Sequence, residues 1–109
     1  MDQTSACERV LNTIVDRLAH ALRPERIVLF GSYARLVAHQ RSDIDLLLIG
    51  HWDPVGQDHW LRRAQQMTAG VLPHVDLVLC TPDELQDDSA PRVHFLRAAI
   101  AQGRILYPR

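Results

Sequence analysis

Residues 30–49 read FGSYARLVAHQRSDIDLLLI and join a glycine–serine pair to two aspartates at the head of an apolar run. The segment 43–49, DIDLLLI, has the composition of a buried β-strand, except that it begins with acids. Side chains alternate between the faces of a strand, so Asp43 and Asp45 share a face, with Cα atoms about 6 to 7 Å apart. Two carboxylates this close oppose each other's ionisation unless a cation or hydrogen-bond donors lie between them. The stretch therefore predicts a strand that begins at a charged site.

Helical and strand patterns alternate on both sides of this strand. Thr4 or Ser5 is expected to cap the first helix and Pro24 to end it, while Ser32 is expected to cap a short helix. Gly103 is expected as the C′ residue of the last helix. The predicted elements are, in order, a helix over 5–22, a strand over 26–30, a helix from 32 to about 37, a strand over 43–49, a helix over 58–70, a strand over 75–80, a weak turn at 83–84, a helix within 90–103 and a short strand over 104–107.

This order of elements predicts an α/β or α+β fold, a small sheet with helices packed on it, in a single domain over residues 1–109. The connection between the second and third strands contains a full helix, which favours a parallel crossover. The connection between the first and second strands holds only one or two helical turns, which favours an antiparallel pair. We therefore expect a mixed sheet.

Composition excludes several classes of protein. The formal net charge is −1, and all twelve basic residues are arginine. Without lysine the chain cannot form a P-loop, and without a strongly basic balance no direct nucleic-acid binding is expected. No apolar run reaches the length of a membrane span, and the polar start at 1–4 is no signal peptide. Cys7 and Cys80 have no metal-type spacing, so both are interpreted as structural residues in a reduced, cytoplasmic setting.

A third acid, Asp76, interrupts the apolar run HVDLVLC near its start. If the second and third strands are parallel neighbours, Asp43, Asp45 and Asp76 meet at one end of the sheet. An antiparallel first strand then brings Gly31 and Ser32 to the same end. Gly31 lets backbone approach a ligand closely, and the start of a helix there suits phosphate oxygens. Clustered carboxylates favour a hard cation such as Mg²⁺ or Mn²⁺.

The motifs GSYAR and SDIDLLLI, followed by an acid in a third strand, resemble the DNA polymerase β-type nucleotidyltransferase superfamily. Within it, the chain is most similar to the minimal nucleotidyltransferases, and the similarity extends over nearly the whole chain to the ending IAQGRILY. The resemblance implies the polymerase β-like nucleotidyltransferase fold. One position departs from the pattern, since Leu36 stands where many members have a glycine after the short helix.

The resemblance also implies roles for individual residues. Gly31 and Ser32 would hold the β- and γ-phosphates of ATP. Asp43 and Asp45 would bind two Mg²⁺ ions. Asp76 would complete the metal site and help to deprotonate the acceptor hydroxyl. The implied reaction is in-line transfer of AMP with loss of pyrophosphate.

Other polar residues near the motif are weaker candidates. Arg35 and Arg41 could neutralise phosphate charge, although an exposed arginine or a structural ion pair is an equal alternative. Ser42, directly before the first aspartate, is a candidate nucleotide-binding residue. The histidines lack the spacing of metal ligands and are interpreted as loop and helix-face residues, His74 among them. The two tryptophans, Trp52 and Trp60, are expected to pack.

As for the acceptor, the resemblance implies an antitoxin that adenylylates a tyrosine of a HEPN-type ribonuclease toxin. Two alternatives stay open. The chain could neutralise a toxin by binding alone, without catalysis, or it could modify a small molecule or an RNA end. The lack of a second domain and of basic charge speaks against the latter.

The two faces of the predicted sheet are expected to be covered to different extents. Leu47, Ile49, Val78 and Cys80 share the face of the acids, which we expect to be partly open for a partner, although the last helix could cover part of it. The opposite face is continuously apolar and is expected to pack on the long helices; it consists of Ile44, Leu46, Leu48, Val75, Leu77 and Leu79.

Overall fold

The protein is represented by a computed structural model that describes residues 3–34, 43–53, 56–72 and 74–109. Helices and strands alternate in it much as the sequence predicts. The elements are α1 (Gln3–Leu22), β1 (Arg26–Phe30), α2 (Gly31–Ala34), β2 (Ile44–Ile49), α3 (Gln57–Thr68), β3 (Val75–Cys80), α4 (Pro82–Gln86), α5 (Val93–Gln102) and β4 (Arg104–Tyr107).

The strands form one four-stranded mixed sheet in the order β3-β2-β1-β4. β2 pairs with β3 in parallel, across the α3 crossover. β1 pairs antiparallel with both β2 and β4. The predicted α/β class and both predicted strand directions are therefore confirmed.

One face of the sheet packs on the long helices, as predicted. Ile44, Leu46 and Leu48 of β2 are fully buried there, because their alternate positions all point at α1 and α3. The buried cluster on this face consists of Leu11, Ile14, Val15, Leu18, Leu22, Ile27, Leu29, Ile44, Leu46, Leu48, Trp52, Ala64, Val75 and Leu79.

The other face is covered by α5 over its apolar part. Leu47, Ile49 and Cys80 are fully buried, in a cluster that includes Leu96 and Ala99 of α5. The prediction of a partly open face is therefore confirmed in part: α5 covers part of it, and Leu47, Ile49 and Cys80 are not accessible to a partner. The apolar positions of α5 recur at three-residue spacing, which gives the helix a stripe that matches the face. Among the described residues of this face, Asp43 and Asp76 remain about half exposed at the end where β2 and β3 begin, which is called the acidic edge below.

All three predictions of capping residues need correction. Ser32 lies within α2, which begins at Gly31, and does not precede it. The helix α1 begins before Thr4 and Ser5, so these residues lie within the helix and do not cap it. Capping preference marks a favourable start but does not prevent the helix from extending further. The other end is as predicted, since Arg23 takes a φ of 50° and Pro24 cannot continue the helix.

Gly103 follows α5, yet it is not a left-handed C′ residue. Its φ of −90° and ψ of 179° are extended backbone. Glycine is required there for space: an added Cβ would lie 2.5 Å from the carbonyl oxygen of Ala99 and 2.7 Å from that of Leu29. The missing side chain thus lets the chain turn from α5 into β4 directly against β1.

The predicted weak turn after β3 is a short helix, α4, with Thr81 as its N-cap. The Thr81 hydroxyl accepts a hydrogen bond of 3.1 Å from the Glu84 amide. Arg92 donates two hydrogen bonds to the Glu84 carboxylate, at 2.9 and 2.8 Å, and a third of 2.9 Å to the carbonyl oxygen of Leu79. This arginine therefore connects α4, the start of α5 and the end of β3.

None of the helices in the described ranges has the length and apolar character needed to cross a membrane.

The close approach at Gly103 gives a prediction for stability. We expect Gly103→Ala to lower the free energy of unfolding by about 1–3 kcal/mol, because the new methyl group meets backbone oxygens that cannot rotate away. Gly70→Ala is the matched comparison: no atom lies within 4 Å of its added Cβ, and only its φ of +78° opposes the change, at about 1–2 kcal/mol. Urea denaturation measures both. A Gly103→Ala protein as stable as the wild type would show that α5 and β1 separate without cost.

Candidate active site

The register of two parallel strands brings the acids together. Asp45 of β2 lies directly opposite Asp76 of β3, and Ile44 lies opposite Val75. One step earlier, the Ile44 amide donates a 2.8 Å hydrogen bond to the carbonyl oxygen of His74. The convergence of acids that the sequence predicts is therefore present at the edge where both strands begin.

A group of three side chains at this edge can hold a metal ion. The Nδ1 of His74 lies 3.4 Å from Oδ1 of Asp76 and 3.9 Å from Oδ2 of Asp43. One ligand atom from each of the three lies within 4.8 Å of the others. About half of each carboxylate side chain is exposed, 48% for Asp43 and 52% for Asp76. A solvated ion can therefore reach the group from outside.

His74 is the residue that sequence reasoning missed. Searching for H-x-H or H-E-x-x-H looks for histidine partners along the chain, whereas the neighbours of His74 lie mainly across the sheet. A signal was available: His74 and Asp76 are two residues apart, as Asp43 and Asp45 are, so each strand presents two polar groups on one face. In parallel register those two pairs must meet.

Asp45 occupies the inner side of the same edge, beside the end of β1. Phe30 is its partner in the antiparallel ladder, so Gly31 follows directly against it. Gly31 has a φ of +73°, and a Cβ added there would run into Oδ2 of Asp45. Both the left-handed backbone and the close approach require glycine. The first turn of α2 is thereby held next to the acidic edge, as the sequence predicted for Gly31.

Burial and the neighbouring acids disfavour the ionised forms of Asp45 and Asp76. Burial raises the pKa of Asp45, and the charges of Asp76 and Asp43 raise it further. Burial also raises the pKa of Asp76, and so do its hydrogen bond to Asp43 and the charge of Asp43, while His74 acts in the opposite direction. A divalent cation would remove this repulsion, and carboxylate oxygens are the ligands it prefers. The residues at this edge therefore fit a metal site.

Several predicted site residues lie outside the described residues: Arg35, Arg41 and Ser42, as well as Leu36. Ser32 contributes its backbone to α2, and its side chain lies outside the described part. Their assignments stay predictions.

An open groove adjoins Gly31 on the side of α5. The Phe30 and Phe95 rings meet edge to face there, with centroids 5.8 Å apart, and Phe95 remains 50% exposed. The groove encloses about 320 Å³ and is lined by Phe30, Gly31, Phe95, Ala98, Ala99 and Gln102.

Trp52, Trp60 and Cys80 have structural roles, as predicted. Trp52 is buried, and its ring lies 5.9 Å from that of Trp60. Cys80 is buried beneath α5, and this burial raises the pKa of its thiol to about 11. Such a thiol stays protonated at neutral pH and is a poor nucleophile. The side chain of Cys7 lies outside the described part.

The electrostatics of the edge predict a pH-dependent effect of Asp45→Asn. Because the pKa of Asp45 in the folded state is raised above its ordinary value of 3.8, folding binds a proton, and the free energy of unfolding falls as pH rises above that value. The amide removes this penalty, so the variant should withstand more urea than the wild type at neutral pH in EDTA. The difference should vanish below pH 3.8.

Asp88→Asn is the control for this comparison. Its carboxylate is 86% exposed and pairs with Arg97 at 2.8 Å, and such surface pairs contribute little to stability. An Asp45→Asn protein that is less stable than the wild type at neutral pH would show that the carboxylate is favourably solvated or paired.

The sequence and the fold are similar to those of known proteins. The family model for a nucleotidyltransferase domain matches residues 9–106. A chain of a solved structure, described as the crystal structure of the toxin-antitoxin with AMP-PNP, is 25% identical in sequence and superimposes with a TM-score of 0.56. That likeness covers 88% of this chain and 71% of the other. No curated protein matches. Since the family model spans most of the sequence, the chain belongs to the nucleotidyltransferase domain family.

Proposed function

We propose that this chain is a metal-dependent nucleotidyltransferase that transfers AMP from ATP to a tyrosine hydroxyl of a HEPN-type ribonuclease toxin, and that it acts in this way as a cytoplasmic antitoxin. The observation that carries the proposal is the meeting of Asp43, Asp45 and Asp76 at one sheet edge, with Gly31 held against it. Family membership supports the reaction class. The solved toxin-antitoxin structure with AMP-PNP, an analogue of ATP, supports a toxin as the partner and ATP as the nucleotide. The HEPN type and the tyrosine acceptor come from the resemblance to the minimal nucleotidyltransferases.

In this proposal the acids hold two Mg²⁺ ions. The ions would neutralise charge on the triphosphate and stabilise the in-line displacement at the α-phosphorus. Asp45 on β2 lies opposite Asp76 on β3, and Asp43 directly precedes β2, which supports this role for them. The Asp76 carboxylate, half exposed, is also accessible to an incoming hydroxyl, whose proton it would accept.

The backbone around Gly31 would receive the β- and γ-phosphates. Because Gly31 has no side chain, the first turn of α2 lies directly beside Asp45, so phosphates bound there would lie next to the metal site. Ser32 would contribute its amide and hydroxyl. Arg35 would supply the positive charge that lysine supplies in other phosphate sites, and Ser42 a hydrogen bond.

The acceptor hydroxyl has to come from another molecule. The acidic edge is open to solvent, and α5 covers the apolar surface behind it, so a partner would approach the edge itself. A partner segment that carries a tyrosine could place its hydroxyl there without displacing any packed helix. The near-neutral charge of the chain, −1, gives little attraction for an RNA acceptor.

The nucleotide half of the proposal predicts stabilisation by ligand. ATP with Mg²⁺ should stabilise the wild type by about 2.7 kcal/mol at a hundredfold excess over its dissociation constant. Asp45→Asn should lose the metal-dependent part of this gain. Gly31→Ala should lose it as well, because the new methyl group occupies the space beside Asp45. Thermal denaturation and calorimetry measure the effect, with Asp88→Asn as a control that keeps it. Absence of metal-dependent nucleotide binding to the wild type would refute the proposal.

The transfer half predicts covalent modification of the partner. After co-expression with the product of the adjacent gene, intact-mass measurement should show the partner heavier by one AMP group, on a tyrosine. Asp43→Asn and Asp76→Asn should each remove the modification, while Asp88→Asn should preserve it. If these variants still neutralise an unmodified toxin, the chain acts by binding alone. If AMP appears on RNA or a small molecule instead, the acceptor assignment is wrong.

A further inference from the structure

His74 lies close to both carboxylates of the metal group without a good hydrogen bond to either. Its Nδ1 is 3.4 Å from Asp76 and 3.9 Å from Asp43. Hydrogen bonds between an imidazolium and a carboxylate are shorter, about 2.7 to 2.9 Å. Pairing with these acids therefore does not account well for its position.

The same distances suit a shared metal ion. Ligand atoms about 2.1 Å from one ion are separated by about 3.0 Å when they meet at a right angle and by about 3.4 Å at a tetrahedral angle. The 3.4 Å separation of His74 from Asp76 lies at the upper end of this range, and the 3.9 Å separation from Asp43 lies somewhat above it. All three side chains are exposed by about half or more and are free to rotate toward a shared ion.

The backbone fixes His74 in this position. Its carbonyl oxygen accepts a 2.8 Å hydrogen bond from the Ile44 amide, which ties the residue to β2 one step before Asp45. Asp43 and His74 thus precede the paired residues Ile44 and Val75 on neighbouring strands. The pairing of β2 with β3 therefore places the imidazole at the same edge as the acids.

We propose that Nδ1 of His74 is a ligand of the metal position shared by Asp43 and Asp76, and that this nitrogen makes the position prefer Mn²⁺ to Mg²⁺. The inference rests on the proposed function for the existence of the metal position and adds a residue and a metal preference to it. Mg²⁺ strongly favours oxygen ligands and gives up its waters reluctantly. Mn²⁺ also binds oxygen ligands well, but as a first-row transition metal it accepts an imidazole nitrogen more readily than Mg²⁺ does, so a nitrogen ligand shifts the selectivity between these two ions toward Mn²⁺.

The test uses the full-length protein and two metals, each titrated alone by calorimetry. The wild type should bind Mn²⁺ at least about tenfold more tightly than Mg²⁺, and His74→Ala should lose most of this preference. His74→Asp replaces nitrogen with oxygen and should bind Mg²⁺ better than His74→Ala does. The matched control is His51→Ala, since His51 is an equally exposed histidine at the other end of β2, beside Glu25.

Pulsed electron paramagnetic resonance gives a readout that is independent of affinity and of activity. Mn²⁺ bound to the wild type and to His51→Ala should show modulation from a directly coordinated ¹⁴N nucleus, and Mn²⁺ bound to His74→Ala should not. Circular dichroism checks that the variants are folded, as expected for a side chain that is 70% exposed.

Three results would overturn the inference: no binding of either metal, no nitrogen modulation in the wild type, or the same metal preference in His74→Ala. Failure here is distinct from failure of the proposed function. AMP transfer that requires Asp43 and Asp76 but proceeds unchanged in His74→Ala, with an unchanged metal preference, would leave the function standing and remove His74 from the site. Nitrogen coordination in a protein that transfers no AMP would keep His74 as a metal ligand and refute the proposed function.

Discussion

Parallel pairing of β2 with β3 in a single register determines the rest of the site. In the observed register Leu46 and Leu48 reach the core under α1 and α3, and Asp45 lies opposite Asp76. A slip of one residue would turn the leucines to the other face, and the cost of exposing them far exceeds the repulsion between two half-solvated carboxylates. Burial on both faces of β2 therefore holds together a pair of like charges that would otherwise separate.

β1 brings Gly31 to the site, and its place as an inner strand fixes that position. Hydrogen-bonded to β2 on one side and β4 on the other, it cannot shift, and its antiparallel direction places its last residue beside Asp45. Gly31, directly after this strand, lies against the Asp45 side chain of β2, and Gly103 lies against the Leu29 carbonyl oxygen of β1. The site depends on backbone contacts at both, and a side chain at either would force the elements apart.

The sequence is sufficient to predict the strands, their directions and the meeting of Asp43, Asp45 and Asp76, because strand period and crossover length leave few other arrangements. The same reasoning applies to His74, two residues before Asp76, but a search for histidine spacing along one segment overlooks neighbours that are set by the register between strands. The sequence does not predict how far α5 covers the acidic face, because counting elements does not measure the area they cover. A ten-residue helix spans about 15 Å, and a six-residue strand about 20 Å, so α5 can bury the apolar part of the face and still leave an end exposed.

The two ends of β3 are stabilised in opposite ways. At its C-terminal end, Arg92 satisfies both oxygens of Glu84 and the carbonyl of Leu79, a compact arrangement in which every charge has a partner. At its N-terminal end, Asp76 and Asp45 have pKa values raised by burial and mutual repulsion, so their ionised forms oppose folding. A fold that tolerates such an edge needs stability from elsewhere, and the continuous core beneath β2 supplies it. Any cation bound at this edge converts the unfavourable interaction into a favourable one, so ligand binding and folding are thermodynamically linked at the site.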